Sequence, residues 1–544
     1  MEDELLELLK KTRADYEAEC LWHRFLRDAY AGTGGFQGKV RQPQSSYWGP
    51  AASAYAPFAM DAVTWGPDTD LDSEAATYLD KYGREDAPKF RTRRAIAHYS
   101  NFVEPIVDLR NGHLFRKAFT REGVEPLADW LLDVDGLGTD FDVLRREAIA
   151  LNAAIVGWVP TVIDRPLRSG AEPILTAAQE EELGMRRPRL AVLWPHNLLD
   201  WATEGNQFLW AKVRTDHCSQ PDPLGPAETY ARFTLWTRAA FRVIEWKTEA
   251  GKMVDSGLRF DSGWIEHDRG RVPIRIARYR PVPGDPVRGL SMIGAIAIAN
   301  RRHFNVESEL DEHIRSQVFA ILQIATKNPD KLGEVLIGTD NALAIDPDSS
   351  RDHKFIAPPE SVSATLETRL QRLEATIYRL AREEYRQSTG ATGNPASGTS
   401  RRYEFAQTNQ ALADFASRIA AWERDTLGDA FELLDGDRAT IQVAAPTDFD
   451  VEALEAEVKN ALDAVSLGLG PTATAEIKRR LVARLLPSLT STTKASIDEE
   501  IDEAAERERQ ASSFEAEAAA AAAGKATKPD DEEPDDEGVD DVDE

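Results

Sequence analysis

The sequence predicts an α+β protein whose middle third is a mainly antiparallel sheet and whose second half is built on long helices. Three observations predict it. Between residues 156 and 279, short runs rich in β-branched and aromatic residues alternate in character. From Gly289 to about Ile324 there is no proline, and apolar residues recur at helical spacing. Further on, Leu366, Leu370, Leu373, Ile377 and Leu380 step by four and three along a charged background, a heptad-like seam.

In chain order, the first expected element is a helix from Leu5 to about Ala31, ended by Gly32, Gly34 and Gly35. Phe36 to Pro88 reads as loop, with a short helix from Ser73 to Tyr82. A helix is expected over Phe90 to Leu109, broken off by Asn111-Gly112, and another over Asp140 to Asn152. Strands are expected at 156–163, 190–194, 208–213, 230–236, 241–247 and 274–279.

After Pro281, Pro283 and Pro286 comes the first long helix, spanning roughly 45 Å at 1.5 Å per residue. A compact insert, Lys327 to Ala357, carries strand-like pieces at 335–337 and 343–345. Pro358-Pro359 ends it, and a second long helix begins near Ser361 or Ser363. Its single apolar stripe packs on one partner, for which the first long helix has the matching length; a simple coiled coil would show the same seam. Gln387 to Ser400 is small and polar, hence loop. A third helix, Tyr403 to Leu434, stops before Gly436, and a strand follows at 439–444. Helices at 451–467 and 474–486, then one to about Arg509, precede a tail whose residues 525–544 hold eleven carboxylates and two lysines. Such a block is expected to stay disordered.

Composition narrows the function. With 42% hydrophobic residues the bulk is globular, and a net charge of -28 argues against a protein that wraps a duplex. It is compatible with a conduit that must not grip phosphate. Cys20 and Cys218 form no CxxC pair, so no zinc or redox motif is expected. The acidic, amphipathic start at Met1–Lys11 lacks a signal-peptide pattern, and no apolar run is long enough to span a membrane, so a cytoplasmic protein is expected.

The pairs Gly38-Lys39, Gly251-Lys252 and Gly524-Lys525 do not complete a P-loop, and no HExxH, GxSxG or dinucleotide fingerprint occurs. His303 and His313 lie ten apart on one helix, too far to share an ion unaided. Trp194, Trp201, Trp236 and Trp246 suit a sheet core better than a sugar-binding cleft. No cofactor, metal or catalytic residue is expected.

What remains informative is an order: mixed domain, long helix, insert, long helix, polar loop, third helix, return strand, helical end. Within it stand Arg94-Ala95-Ile96-Ala97-His98-Tyr99-Ser100-Asn101-Phe102-Val103 and then Gly112-His113-Leu114-Phe115-Arg116-Lys117. Val272-Pro273-Ile274 precedes Gly289-Leu290-Ser291-Met292-Ile293; Phe355-Ile356-Ala357-Pro358-Pro359 and Ser397-Gly398-Thr399-Ser400 precede the later helices. Together, over about residues 90–510, these resemble the portal proteins of tailed bacteriophages.

The resemblance implies a portal-like division: wing 1–288, first stem helix 289–326, clip 327–358, second stem helix 359–385, tunnel loop 386–402, wing helix and strand 403–449, crown 450–510 and acidic tail 511–544. It implies a homo-oligomeric ring, usually dodecameric, at one capsid vertex of the virion, with double-stranded DNA passing through. Its partners would be the terminase large subunit, the major capsid and scaffold proteins and the head–tail connector. Leu366, Leu370, Leu373, Ile377 and Leu380 would pack the stem, and Arg386, Arg401 and Arg402 of the tunnel loop would touch phosphate. The short insert and the acidic tail depart from the family pattern. The alternatives are another phage head protein or, with its aromatic residues and paired acids, a carbohydrate-active hydrolase.

Overall fold

The structure is a computed structural model. It describes residues 2–36, 77–83, 85, 87–165, 179, 184–220, 223–225, 227–249, 251–318, 321–325, 342–345, 354–356, 361–382, 398–447, 449, 463–465, 470–485 and 496–511. The chain divides into two compact units, Met1–Phe449 and Asp450–Glu544.

The expected first helix is two: α1, Glu2–Lys10, and α2, Tyr16–Ala31. The break has a physical cause. The buried Lys212 donates from Nζ to the carbonyls of Leu8 (3.0 Å) and Lys11, ending α1. Arg13 then turns onto the sheet, its guanidinium donating to Leu198 O (2.6 Å) and covering the Trp201 ring at 4.3 Å. The helix expected from Ser73 is absent from its described part, since 78–79 form a bend and none of 77–82 is helical.

The helix expected over Phe90–Leu109 is likewise divided, into α3, Ala87–Ile96, and α4, Val103–Leu114. The Asn101 carboxamide accepts from the amides of Val103 (3.0 Å) and Glu104 (3.2 Å), so α4 has its own start. α4 runs through Asn111-Gly112, where the chain was expected to break; Gly112 faces open space and is tolerated there. α5 joins Phe141–Val143, a π-helical stretch Leu144–Ala150, and Leu151–Val156. Asp140 caps it by accepting from the amides of Asp142 and Val143.

α5 stops at Gly157, whose φ of +101° suits glycine. A Cβ there would lie 2.3 Å from the Gly289 carbonyl oxygen, so two backbones meet at this point. The last carbonyls of α5 are used: Met292 N donates to Ala154 O (2.9 Å) and Ser291 Oγ to Ile155 O (2.5 Å).

Two antiparallel sheets follow. The smaller takes β2, Trp158–Asp164, between β3, Arg189–Val192, and β10, Ile274–Arg278. The larger runs β4, Leu198–Glu204; β5, Gln207–Ser219; β6, Glu228–Thr237; β7, Ala240–Glu249; β8, Lys252–Asp261, with β9, Ile265–Glu266, on β7. β4 and β8 were not among the expected strands. The pair β1, Thr120–Glu122, and β16, Gln442–Ala444, is also antiparallel.

Gly289 does not begin the first long helix. Gly289–Leu290 is β12, paired with β11, Arg280–Pro281, and the helix α6 is Gly294–Val318. It also ends earlier than expected, because Ile321–Ala325 is β13. That strand pairs in parallel with β14, Ala342–Ile345, and antiparallel with β15, Lys354–Ile356. α7, Ser361–Leu380, returns along α6. α8, Gly398–Leu433, begins inside the segment expected as loop; residues 335–337 lie outside the described ones.

Three cores hold this unit together. α2, α4, α5, α6 and α8 gather around Leu26, Val107, Ile149, Ile296 and Ile419. Trp158, Leu198, Trp236 and Ile274 fill the space between the two sheets. α1 covers the larger sheet with Leu6 and Leu9 over Phe233 and Trp246. Each fully buried side chain of this size contributes about 1.5–3 kcal/mol.

In the second unit, α9, Pro471–Leu485, and a helical stretch at 496–511 are joined by Arg479, which pairs with Asp502 and lies 3.8 Å from Asp498. The stretch expected as helix at 451–467 is described only at 463–465, and the acidic tail lies outside the described residues.

Candidate functional site

Within the first unit, α6 and α7 pack along each other as a helical hairpin, with the three-stranded sheet β13–β15 between them in sequence. Its base is fixed by polar residues that burial makes specific. Asn300 is fully buried; its Oδ1 accepts from Phe102 N (3.1 Å) and its Nδ2 donates to Ser100 O (2.9 Å). Asn305 Oδ1 accepts from Asp80 N at 2.6 Å. Arg93, 1% exposed, donates to Glu85 (2.8 Å) and to Ser308 Oγ (3.4 Å) on α6. His303 packs edge-on against Phe102, and Phe102 against Tyr378 of α7. These contacts tie α6 to Asp80, to α3 and to the start of α4, and tie α7 to Phe102.

The expected stripe on α7 is graded. Leu373 and Ile377 are buried, and Leu366 and Leu370 are half-buried. Leu380 is 42% exposed, and Ala381 is buried instead. Spacing 370, 373, 377, 381 follows a straight helix of 3.6 residues per turn rather than a 3.5-residue seam. Elsewhere on the hairpin Ile298, Ile314, Val318 and Val362 are exposed, the most open being Val318 at 63%.

Of the three arginines expected to meet phosphate, Arg386 lies outside the described residues. Arg401 and Arg402 belong to the helical backbone of α8, not to a loop, and their side chains lie outside what is described.

α8 is locked to the small sheet. Asp429 accepts from Arg275 (2.5 Å), Arg271 (2.8 Å) and Arg438 (2.9 Å). Trp422 Nε1 donates to Thr161 Oγ1 at 3.0 Å. Glu423, fully buried, is held by Arg145 (2.6 Å) and Arg121 (2.5 Å). Three interactions with one carboxylate explain why Asp429 can be buried. The sequence reading missed this arginine–carboxylate lattice, because acids and bases abound and only the fold brings these together.

The four tryptophans weighed for a cleft fall into different cores and do not line one groove: Trp236 and Trp246 are buried, Trp201 packs on Trp158, and Trp194 carries the Arg27 guanidinium at 4.1 Å. Cys20 and Cys218 form no disulfide with each other. Among the described residues, no group of three or more His, Cys, Asp or Glu could hold a metal ion, and no helix is long and apolar enough to cross a membrane.

No family model matches the chain, and no curated protein matches it. Among solved structures it is similar to a chain from the neck of an empty GTA particle computed with C6 symmetry, at 14% identity and a TM-score of 0.32, over 79% of this chain and 97% of that one.

Proposed function

We propose that this chain is the portal subunit of a tailed-phage head: copies close into a ring, dodecameric as in the portals it resembles, around a channel for double-stranded DNA. The observation that supports this most is the α6–α7 hairpin, a stalk that leaves a mixed body, carries a small sheet at its end and returns. Apolar side chains left open on the stalk, such as Val318 and Leu380, suit lateral packing against a neighbouring copy.

In this reading the insert 327–358, with β14 and β15 on the β13 that precedes it, is the clip, which binds the terminase large subunit and later the head–tail connector. The body faces the major capsid and scaffold proteins. Arg386, Arg401 and Arg402 touch DNA phosphates without sequence preference. The excess negative charge of the chain disfavours a tight grip on DNA. The protein performs no covalent chemistry and needs no cofactor; ATP hydrolysis belongs to the motor. It is assembled in the host cytoplasm and resides at one vertex of the virion.

The test is native mass measurement with negative-stain imaging of the purified protein. A closed multi-subunit ring with a central hole is expected. A monomer with glycosidase activity overturns the proposal.

A further inference from the structure

β10 is the outer strand of the order β10-β2-β3. Its register with β2 decides which backbone groups face outward. Tyr279 N donates to Gly157 O (2.9 Å) and Ile163 N to Pro273 O (3.3 Å), so the odd-numbered residues of this strand bond inward. Ile274, Ile276 and Arg278 therefore turn their N–H and C=O groups away from β2. Among the described residues no strand pairs with that edge.

The edge borders a cavity of about 340 Å³, lined also by Asn206–Phe208 at the β4–β5 turn and by Pro286 and Val287. Arg271, Arg275, Arg278 and Arg438 line it, against Asp425. Asp429, behind them, engages three of the four. Arg278 differs. Its guanidinium donates to Pro286 O at 2.8 Å, and among the described residues no carboxylate lies within ion-pair distance. Burial, with Arg418 nearby, lowers its affinity for a proton, and Asp285 offsets part of this. In a chain of net charge -28, this is an under-compensated cation beside an open strand edge.

We propose that the outer edge of β10 docks an extended acidic peptide from a partner protein, which adds as a fourth strand and sets a carboxylate against Arg278. Main-chain pairing supplies affinity and the arginines supply selection. A second copy of β10 does not fit, because its own arginines would stand opposite like charges. The edge from Ile274 to Arg278 is about 16 Å long, enough for a strand of five residues. This inference is independent of the ring.

The test begins with a displayed library of random dodecapeptides selected on the full-length protein. Selected peptides, fluorescein-labelled, are titrated by anisotropy. Acidic residues in alternating positions are expected, and Arg278→Glu weakens binding by about ten-fold or more. Hydrogen exchange gives a readout independent of folding defects: bound peptide slows the amides of Ile276 and Arg278 about ten-fold and leaves Ala277, already bonded to β2, unchanged. Peptides without acidic bias, peptides indifferent to Arg278→Glu, or exchange that does not follow this alternation overturns the proposal. So does binding of a short DNA duplex that Arg278→Glu abolishes when no peptide is selected, which assigns the arginines to phosphate.

Discussion

Nε2 of His303, in the first half of α6, lies 3.5 Å from a carboxylate oxygen of Glu374, in the second half of α7. The pairing of an early residue with a late one is what antiparallel arms require. Glu307 lies 3.5 Å from the other ring nitrogen. The imidazole is 4% exposed, whereas Glu374 is 39% exposed, so packing outweighs charge here.

Accordingly His303→Ala, which leaves a hole between α4, α6 and α7, is expected to cost about 2–4 kcal/mol in denaturant unfolding. Glu374→Gln should cost less than about 1 kcal/mol. Equal losses would show that the ion pair dominates.

Glu423 is the most buried acid of the α8 lattice. Glu423→Ala removes the buried one of the two carboxylates that Arg121 and Arg145 share, leaving them only the half-exposed Asp142. A loss of about 3–5 kcal/mol is expected by chemical denaturation. Arg424→Ala, next in sequence but on the exposed side and, among the described residues, paired with its neighbour Asp425, should cost less than about 0.5 kcal/mol.

Acid should loosen the body before any carboxylate protonates in bulk. Burial lowers His23 to about 4 and His196 to about 3 from an ordinary 6.5. The unfolded chain therefore binds protons at these positions at a pH where the folded chain does not. Stability is complete above 6.5 and falls as pH drops toward 4. Each histidine contributes a loss of up to about 2 kcal/mol between pH 7 and pH 5. Unfolding free energies at the two pH values measure it, and His23→Gln should reduce the slope.

Gly157 and Gly289 approach too closely for side chains. Gly157→Ala forces a Cβ into the Gly289 carbonyl at a positive φ. A loss of at least about 2 kcal/mol is expected in thermal or denaturant unfolding. A fully stable variant would show that the α5–β12 junction relaxes freely.

For the proposed ring, Leu380→Glu places a charge on a surface that is open in the single chain. The variant is expected to keep its helical circular dichroism and melting temperature but to lose closed rings in negative stain. Rings of normal appearance would move the subunit contact elsewhere.

The sheet was legible because half-buried strands alternate: 208–213, 230–236 and 241–247 all fall inside β5, β6 and β7. β8 was not, because Ser256 takes φ 55° and Gly257 sits against Trp246, so a bulge interrupts its period. The long helices were legible by spacing, but their ends were not. Lys212 ends α1 from two hundred residues away, Asn101 starts α4 after a break that no glycine marks, and Ile321–Ala325 is a strand only because β14 and β15 flank it. The stripe on α7 was visible as composition, while its drift from Leu380 to Ala381 depends on where α6 lies. Of the arginines expected to meet phosphate, none has a described side chain; the open edge of β10 had no sequence signature, since an edge strand reads like any other.

The hairpin has one more consequence. α6 and α7 give the end sheet a single entrance and a single exit, side by side, while the residues that anchor the arms, Asn300, His303 and Asn305, sit at the opposite end among the body's own helices. Substitutions in the sheet should therefore leave the packing that folds the rest undisturbed. The hairpin works as a firebreak: a change in the end sheet meets the rest of the chain only through its two arms.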